Sequence, residues 1–308
     1  MAAYLLRLLA SILLVSWLVG SLVFFLIHLV PGDPVAVMLG DWASPADEQV
    51  LRHQLGLDLP IWEQYRNYLS GVLLHGDFGQ SLFYQQAVSD LLAQRFPMTL
   101  QLALMALMIA VLIAFPLGIL AALRSGHWPD HVSMTVSLIG VSMPNFWLGP
   151  MLILLFSISL AWLPVSGAEQ PFSWVLPAVT LGTALAAILA RMLRASLLEV
   201  MHEDYIRTAR AKGLSSKWVY GKHALLNALL PVVTILGLQL GTLLGGAVIT
   251  EVVFDWPGLG QLLVESIQRR DYPVVQACIL VVSIAYITIN GLTELIYAWL
   301  DPRIRVAQ

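Results

Sequence analysis

Charged residues are scarce in this sequence: only 11% of its 308 residues are Asp, Glu, Lys or Arg, whereas soluble domains carry roughly 25%. Hydrophobic residues make up 58% of the chain, and its mean hydropathy is +0.80. A folded chain of this size still exposes about a quarter of its unfolded surface, so this much apolar surface cannot all be hidden from water. The composition excludes a soluble enzyme, and it equally excludes a disordered or fibrous chain.

The sequence also lacks the motifs of the common catalytic classes. It has no phosphate-binding glycine-rich loop, since the Gly-Lys pair at 221–222 lacks the upstream glycine and the hydroxyl, and it has no His-Glu-x-x-His or Gly-x-Ser-x-Gly. His127 and His131 are four residues apart, but Pro129 between them argues against a regular helix that would make them metal ligands. Cys278 is the single cysteine, which excludes an internal disulfide, and a net charge of -3 does not indicate nucleic acid. No catalytic, metal or cofactor-binding residue is predicted in this chain.

Long stretches without charge divide the sequence. Six of them reach 21 residues or more: 8–32, 98–123, 131–168, 170–190, 223–250 and 272–293. About 20 apolar residues cross a bilayer as a helix, and lipid offers no partners for an open strand edge. The windows therefore predict an all-α membrane protein with six transmembrane helices, and the third window is long enough for a helix plus a loop.

Basic residues are distributed unevenly between the loops. The N-terminal tail, 124–130, 191–222 and the C-terminal tail together carry eleven of the sixteen Lys and Arg residues. Since basic loops stay in the cytoplasm, both termini are predicted to be cytoplasmic. Acidic residues gather on the other side, mostly between Asp33 and Asp90. They could meet a partner protein there, although ordinary external loop composition explains them equally well.

The first window exceeds the apolar core of a signal peptide, and no small-residue cleavage site follows it, so we expect a retained helix. The polar segment after it is expected to form a small external subdomain. Ser44 and Pro45 suit a helix start there, and a second amphipathic helix is predicted from Pro60 to Leu74. The predicted bounds are 1–32 for the tail and first helix, 33–97 for the subdomain, 98–300 for the five-helix core and 301–308 for a cytoplasmic tail.

Segment 191–222 is the most basic part of the chain, with seven Lys and Arg residues. Each such charge costs about 2.5–3.5 kcal/mol at the centre of a membrane helix, so the segment is expected outside lipid. Its pattern predicts helix, break, helix, with Gly213 ending the first helix and Ser215 or its neighbour capping the second. The small residues Ala209 and Ala211 would allow another protein to approach closely. A solvated basic loop explains the composition as well; a short helix offered to a partner's groove is the more specific hypothesis.

The fifth window contains glycine at every fourth position, a pattern that lets another helix approach closely. Polar side chains occur on the same predicted helix, and ordinary packing within the chain explains the glycines as well as a pathway does. In the third window, Pro144 is expected to break the helix next to a polar residue. The candidates for helix packing or the pathway are Gly237, Gln239, Gly241, Thr242, Gly245 and Asn145.

Two runs of sequence resemble a known family. Residues 205–213 (Tyr-Ile-Arg-Thr-Ala-Arg-Ala-Lys-Gly) and 223–231 (His-Ala-Leu-Leu-Asn-Ala-Leu-Leu-Pro) closely resemble the cytoplasmic loop of bacterial ABC-importer permeases, in the B-type subunit of the dipeptide, oligopeptide and nickel branch. Further motifs in the family order extend the resemblance over nearly the whole chain; they lie at 30–34, 55–58, 76–79, 142–147, 251–260, 270–274 and 301–305. Where the wider group has Glu-Ala-Ala, this chain has Arg207-Thr208-Ala209 and is similar in this to its branch, so the role of that glutamate is not transferred.

The resemblance implies the type I ABC importer permease fold in the bacterial inner membrane, with the small subdomain in the periplasm. It also implies a heterodimer with a second permease, two cytoplasmic ATPases that use ATP and Mg²⁺, and a periplasmic or lipid-anchored solute-binding protein. This chain itself would hold no cofactor. Segment 199–222 would be the coupling loop that rides on an ATPase, with Tyr205, Arg207, Thr208, Ala209, Ala211, Lys212 and Gly213 as its candidate residues.

Di- and oligopeptides are the expected substrates, with nickel, a metal chelate or glutathione as alternatives. No residue in the sequence distinguishes them, because selectivity in the family rests largely with the binding protein. An ATP-independent secondary carrier is the alternative from another class. Such carriers often contain internal repeats, and we find no convincing repeat.

The predicted orientation can be checked with reporter fusions. A fluorescent protein fused after Gln308 should fluoresce in a bacterial host, and alkaline phosphatase fused there should be inactive, because the predicted C-terminus is cytoplasmic. The same reporters inserted after Glu63 should give the opposite pattern. Phosphatase activity at Gln308 would overturn the orientation.

Overall fold

The computed structural model describes residues 2–29, 35, 45–54 and 56–300. The motif at 30–34, the cap expected at Ser44 and the predicted tail 301–308 lie outside these residues. The helices of the described part are α1 Ala2–Leu29, α2 Pro45–Gln54, α3 Ile61–Ser70, α4 Val88–Leu123, α5 Trp128–Ser142, α6 Asn145–Leu152, α7 Val175–Met201, α8 Asp204–Ala211, α9 Ser216–Trp218, α10 Leu225–Val253, α11 Leu259–Gln268 and α12 Tyr272–Leu300. Helical turns of π type follow α3 at Gly71–His75, α6 at Ile153–Ser159 and α9 at Val219–Ala224.

Within the described residues, α1, α4, α7, the run from α9 into α10, and α12 are long and apolar enough to cross a membrane. A sixth crossing requires α5 and α6 together, and the chain bends by 104° between these two helices. Met143 and Pro144 at the bend are extended, because the residue before a proline avoids the helical conformation. The break predicted at Pro144 is confirmed, and the third window contains two helical pieces instead of one helix.

The chain folds into two compact units, and α4 and α12 each contribute to both. The first unit comprises Met1–Thr99 and Pro257–Thr288, and the second comprises Leu100–Trp256 and Ile289–Gln308. The helix predicted from Pro60 to Leu74 is confirmed as α3 with its π-helical turn. In the first unit, the start of α4 packs against α11 and α12 through the buried residues Val88, Leu91, Leu92, Leu259, Leu262, Val274, Ala277 and Cys278.

Helix α7 is the centre of the second unit. Of its most apolar window, 61% is buried, against 22–33% for the other unbroken spans, and it packs against α5, α6 and α10. Small residues at every fourth position of α7 are buried, namely Ala178, Gly182, Ala186 and Ala190. Without a hydrophobic drive between helices in lipid, such small faces let backbones approach closely.

The glycines of this packing have no room for a side chain. A Cβ on Gly182 would lie 2.7 Å from the carbonyl oxygen of Ala106, and one on Gly118 would lie 2.8 Å from that of Ala190. These two pairs show that α4 and α7 run in the same direction. A Cβ on Gly140 of α5 would lie 3.3 Å from the Thr183 methyl group; the other end of α5 meets α7 further along, at residue 194, so α5 runs opposite to α7. These are the directions that successive membrane crossings require.

Gly182→Ala should destabilise the protein by about 1–3 kcal/mol, because the new methyl group must displace backbone. Gly245→Ala is the matched control, since a Cβ there meets nothing within 4 Å and alanine favours a helix by ~1 kcal/mol. Thermal unfolding of the two purified variants in mild detergent distinguishes them. Equal unfolding temperatures would contradict the proposed contact between α4 and α7.

Candidate functional site

The predicted coupling loop forms a short helix followed by a break. Helix α8 starts after Glu203, whose backbone is extended, and the next segment starts after Ser215 in the same way. Gly213 has φ +76°, a conformation that glycine adopts without strain. The helix, break and helix expected here are confirmed, although no Ser215 side-chain hydrogen bond caps α9. Helix α7 continues to Met201, so the loop starts later than the charge-free window indicated.

One face of α8 packs on the chain itself. Ile206 is fully buried and Ala209 is 7% exposed, and the π-helical turn against which α8 packs buries Val219 and Ala224. The expectation that Ala209 offers a small surface to a partner is therefore wrong, because its methyl group faces inward. A larger residue at that position would disturb the fold before it touched another protein.

The opposite face of α8 is exposed and basic. Arg207 forms an exposed ion pair with Asp204 at 3.3 Å, and the Thr208 hydroxyl donates to the Asp204 carbonyl. Such surface pairs contribute little to stability, so they leave this face available to another molecule. The remaining predicted coupling residues on this side are also exposed, namely Ala211, Lys212 and Gly213.

Polar contacts connect α8 to the start of α10 and to the π-helical turn before it. The Asn227 side chain of α10 donates to the Tyr205 hydroxyl of α8 at 3.0 Å and to the His223 carbonyl of the turn at 2.8 Å. The Arg210 guanidinium of α8 lies 5.6 Å from the centre of the Tyr220 ring in the turn, within the range of a cation–π contact. Together with the buried Ile206, these contacts attach α8 to the segment that leads into α10.

A buried ion pair fixes the end of α7 that leads into α8. Arg194 donates two hydrogen bonds to the Asp130 carboxylate, at 2.6 and 2.7 Å, and the Gly126 amide donates a third. The Asp130 side chain is only 4% exposed. Bidentate pairs of this kind hold both partners in one orientation. The pair therefore attaches the 124–130 segment, which includes the first turn of α5, to α7.

The candidates on the fifth window have different environments. A Cβ on Gly237 would collide with the Thr293 side chain of α12, so Gly237 serves packing within the chain. Gly241 is buried as well, whereas Gly245 is exposed and faces open space. The exposed Thr242 hydroxyl donates to the Gln239 carbonyl at 2.8 Å and lies 3.1 Å from its side-chain oxygen. The structure brings Gln239 and Thr242 together and separates the glycines into packed and open positions.

Asn145, the remaining pathway candidate, is the first residue of α6 and is half-buried at the bend after Pro144. Gly149 in the same helix is packed tightly, since a Cβ there would lie 3.1 Å from the Phe254 ring. Asn145 therefore lies where the backbone changes direction. It belongs to a different helix from Gln239 and Thr242, which are both in α10.

Two acidic residues that lie outside the 33–90 segment are buried. Glu251 and Asp271 are both fully buried, so neither forms part of an acidic docking surface. Asp271 accepts hydrogen bonds from the Ser81 hydroxyl at 2.5 Å and from the backbone amides of Leu82 and Phe83 at 3.1 and 3.2 Å. Its carboxylate holds the 81–84 turn in place.

The same turn is attached to α11 by a second carboxylate. The Tyr84 hydroxyl donates to Glu265 at 2.8 Å, and the Arg269 guanidinium lies 3.7 Å from the centre of the Phe83 ring. Burial and the hydrogen bond to Glu265 raise the pKa of Tyr84 above its ordinary value. The phenol therefore stays protonated and continues to donate to Glu265 at neutral and mildly alkaline pH.

Comparison with known proteins identifies the family. Residues 114–306 match the family described as binding-protein-dependent transport system inner membrane component, and residues 1–103 match its N-terminal region. The chain belongs to this family. It is thus a non-catalytic permease subunit of an ABC importer in the inner membrane. Nucleotide use belongs to partner ATPases, and importers of this family also need a second permease and a solute-binding protein.

Curated relatives cover the whole chain. It is 46% identical over 305 residues to the glutathione transport system permease protein GsiC of Escherichia coli (strain K12), covering 99% of each chain. GsiC of Shigella flexneri serotype 5b is also 46% identical over the same coverage, and that of Shigella boydii serotype 4 is 45% identical. The resemblance stated from the motifs is confirmed.

Solved structures share the fold. The MetNI methionine ABC transporter in an inward-facing conformation matches 68% of this chain and 96% of its own, with 21% identity and a TM-score of 0.59. An amino acid ABC transporter with histidines matches 68% of this chain and 94% of its own, with 17% identity and a TM-score of 0.54. The ABC importer permease fold expected from the sequence is confirmed.

Sequence reasoning missed the Asp130 and Arg194 pair and the small face of α7. Both could have been found from the sequence. Arg194 lies four residues after the charge-free window 170–190 ends, and a buried carboxylate such as that of Asp130 would allow the helix to continue through it. The four-residue spacing on α7 is the same pattern that drew attention to the glycines of α10. The sequence did not indicate which of these helices lies at the centre of the second unit.

Asp130→Asn should destabilise the protein by about 3 kcal/mol, because it leaves the Arg194 charge without its carboxylate. Asp204→Asn removes the exposed pair with Arg207 and should cost ~1 kcal/mol or less. Thermal unfolding of both variants, monitored by size exclusion after heating, measures the difference. A similar loss in both would show that the buried pair does not hold the 124–130 loop.

Proposed function

We propose that this chain forms half of the translocation path for glutathione or a related short peptide, driven by ATPases in trans. One observation carries the substrate assignment: a glutathione permease is 46% identical to this chain over its full length. Glutathione, itself a tripeptide, was one of the alternatives to the di- and oligopeptides expected from the sequence. The proposal selects it over nickel and metal chelates.

The proposed assembly contains this chain and a second permease as a heterodimer, with two ATPases on the cytoplasmic side. A periplasmic or lipid-anchored solute-binding protein delivers the substrate. In this arrangement both termini are cytoplasmic, and the 33–97 subdomain is periplasmic. The uneven distribution of basic residues supports this orientation.

In this proposal α8 is the element that contacts an ATPase. The basic outer face with Arg207 and Lys212 would meet the ATPase, while Ile206 and the Tyr205 hydroxyl attach the helix to the chain. Because α8 connects α7 to α10, a displacement of α8 reaches both spans through short, packed links. Movement at the ATPase would thereby change the access of the path from one side to the other.

Ala211→Trp tests this role. Ala211 is exposed on α8, so a bulky side chain there should leave the fold intact and prevent the helix from docking. A loss of ~1.4 kcal/mol in docking lowers affinity about tenfold. Fewer ATPase subunits should therefore co-purify with the tagged variant, and uptake should fall.

Ala93→Trp is the matched control, an equally exposed alanine on α4 near its start. It should retain the ATPases at the level of the unmodified chain. If Ala211→Trp retains the ATPases and transports normally, α8 is not the coupling element.

The substrate is tested by uptake of labelled glutathione into proteoliposomes that contain the full transporter and its binding protein. We expect ATP-dependent uptake that unlabelled glutathione abolishes and Ni²⁺ does not affect. If labelled dipeptides are taken up and labelled glutathione is not, the assignment returns to general peptides. Uptake by this chain without ATP would contradict the importer mechanism itself.

A further inference from the structure

Helix α3 lies against the end of α1 and is held there by aromatic and polar contacts. The Tyr65 hydroxyl and the Ser21 hydroxyl are 2.6 Å apart. Phe24 of α1 contacts the Tyr65 and Tyr68 rings, with centroids 5.4 and 5.6 Å apart. These contacts bring a helix of the polar external segment into direct contact with an apolar span.

The contacts place α3 at a defined depth. The apolar span of α1 covers Leu6–Leu26, and Ser21 is five residues before its end, or about 8 Å along a helix. A Cβ on Gly20, one residue deeper, would lie only 3.5 Å from the Tyr68 hydroxyl. Interfacial helices bury their apolar face about 5–10 Å into the boundary between headgroups and acyl chains, and the face of α3 that carries Tyr65 and Tyr68 reaches that level.

The surface of α3 beside α1 exposes large apolar groups. Trp62 is 69% exposed and Ile61 is 46% exposed, while the Trp62 ring also contacts Phe25 at 5.9 Å. Arg66 is one helical turn beyond Trp62 and is exposed as well. In contrast, Glu63 and its neighbour one turn on, Asn67, are exposed on another side of the helix.

The exposed surface of α1 continues toward this face. Leu18, Leu22 and Leu26 are 49%, 59% and 51% exposed, and on a membrane-spanning helix such leucines face lipid. Leu22 is one helical turn before Phe25, whose ring contacts that of Trp62, so the same lipid reaches the Trp62 side of α3. A water-filled space there would expose the indole of Trp62 to solvent beside a lipid-facing helix, which is unfavourable for both surfaces.

We propose that α3 is an interfacial helix that lies in the phospholipid leaflet where α1 ends, with Trp62 and Ile61 in the boundary between headgroups and acyl chains. Tryptophan and tyrosine favour this boundary because their rings are apolar and carry one polar group. Arg66, on the same side, is long enough to reach a lipid phosphate with its guanidinium. The helix would then fix the external subdomain to the membrane surface.

The test uses a spin label on the full chain in nanodiscs of phosphatidylcholine and phosphatidylglycerol. Cys278 is fully buried, and Cys278→Ser gives a cysteine-free background. Trp62→Cys carries the label on the proposed lipid face, and Asn67→Cys is the matched control on the same helix. Power saturation then compares relaxation by oxygen, which concentrates in lipid, with relaxation by a water-soluble nickel chelate.

We expect the label at 62 to relax more with oxygen than with the nickel chelate, and the label at 67 to show the reverse. Ile61→Cys should behave like the variant at 62, which keeps the test valid if loss of Trp62 disturbs the helix. Equal access of the nickel chelate at 61 and 67 would overturn the proposal in favour of a solvent-facing helix. Protection from both reagents at 61 and 62 would overturn it in favour of a protein partner.

Discussion

Lipid offers no hydrogen-bond partner and no counter-charge, and this constraint governs how the charged groups buried beside the spans of this chain are placed. Arg194 of α7 donates two hydrogen bonds to the Asp130 carboxylate. The buried Asp271 carboxylate accepts hydrogen bonds from a hydroxyl and two amides of the 81–83 segment. Two hydroxyls inside the spans are satisfied at lower cost, since Thr180 and Thr234 donate to the carbonyl four residues earlier.

The second requirement is close approach between helices that gain nothing from being apolar. Around α7 the chain meets it with small residues, and Gly182 and Gly118 are the two places where any side chain would collide with backbone. Helix α8 lies at one end of this closely packed centre and connects α7 to α10 with a short, well-packed link, which is the basis of its proposed coupling role.

The family assignment and the architecture agree on what this subunit does and what its ATPase partners do. A permease of an ABC importer performs no chemistry and needs only a path and a connection to its ATPases. The contacts of α8 suit such a connection, because one face is buried against the chain and the other carries exposed basic groups. The substrate is proposed from the similarity to glutathione permeases.

The number of apolar segments, the break at Pro144 and the helix that ends at Gly213 were determined by the sequence alone, because each depends on local composition or on backbone preference at one residue. The inward orientation of Ala209, the burial of Glu251 and Asp271, and the central position of α7 were decided only by the tertiary structure. Spacing along a helix shows which residues share a face, but it does not show which neighbour covers that face. For Gly237 the neighbour is Thr293, 56 residues away along the chain, whereas Gly245 on the same helix meets open space. The difference arises because packing joins segments that no local pattern relates.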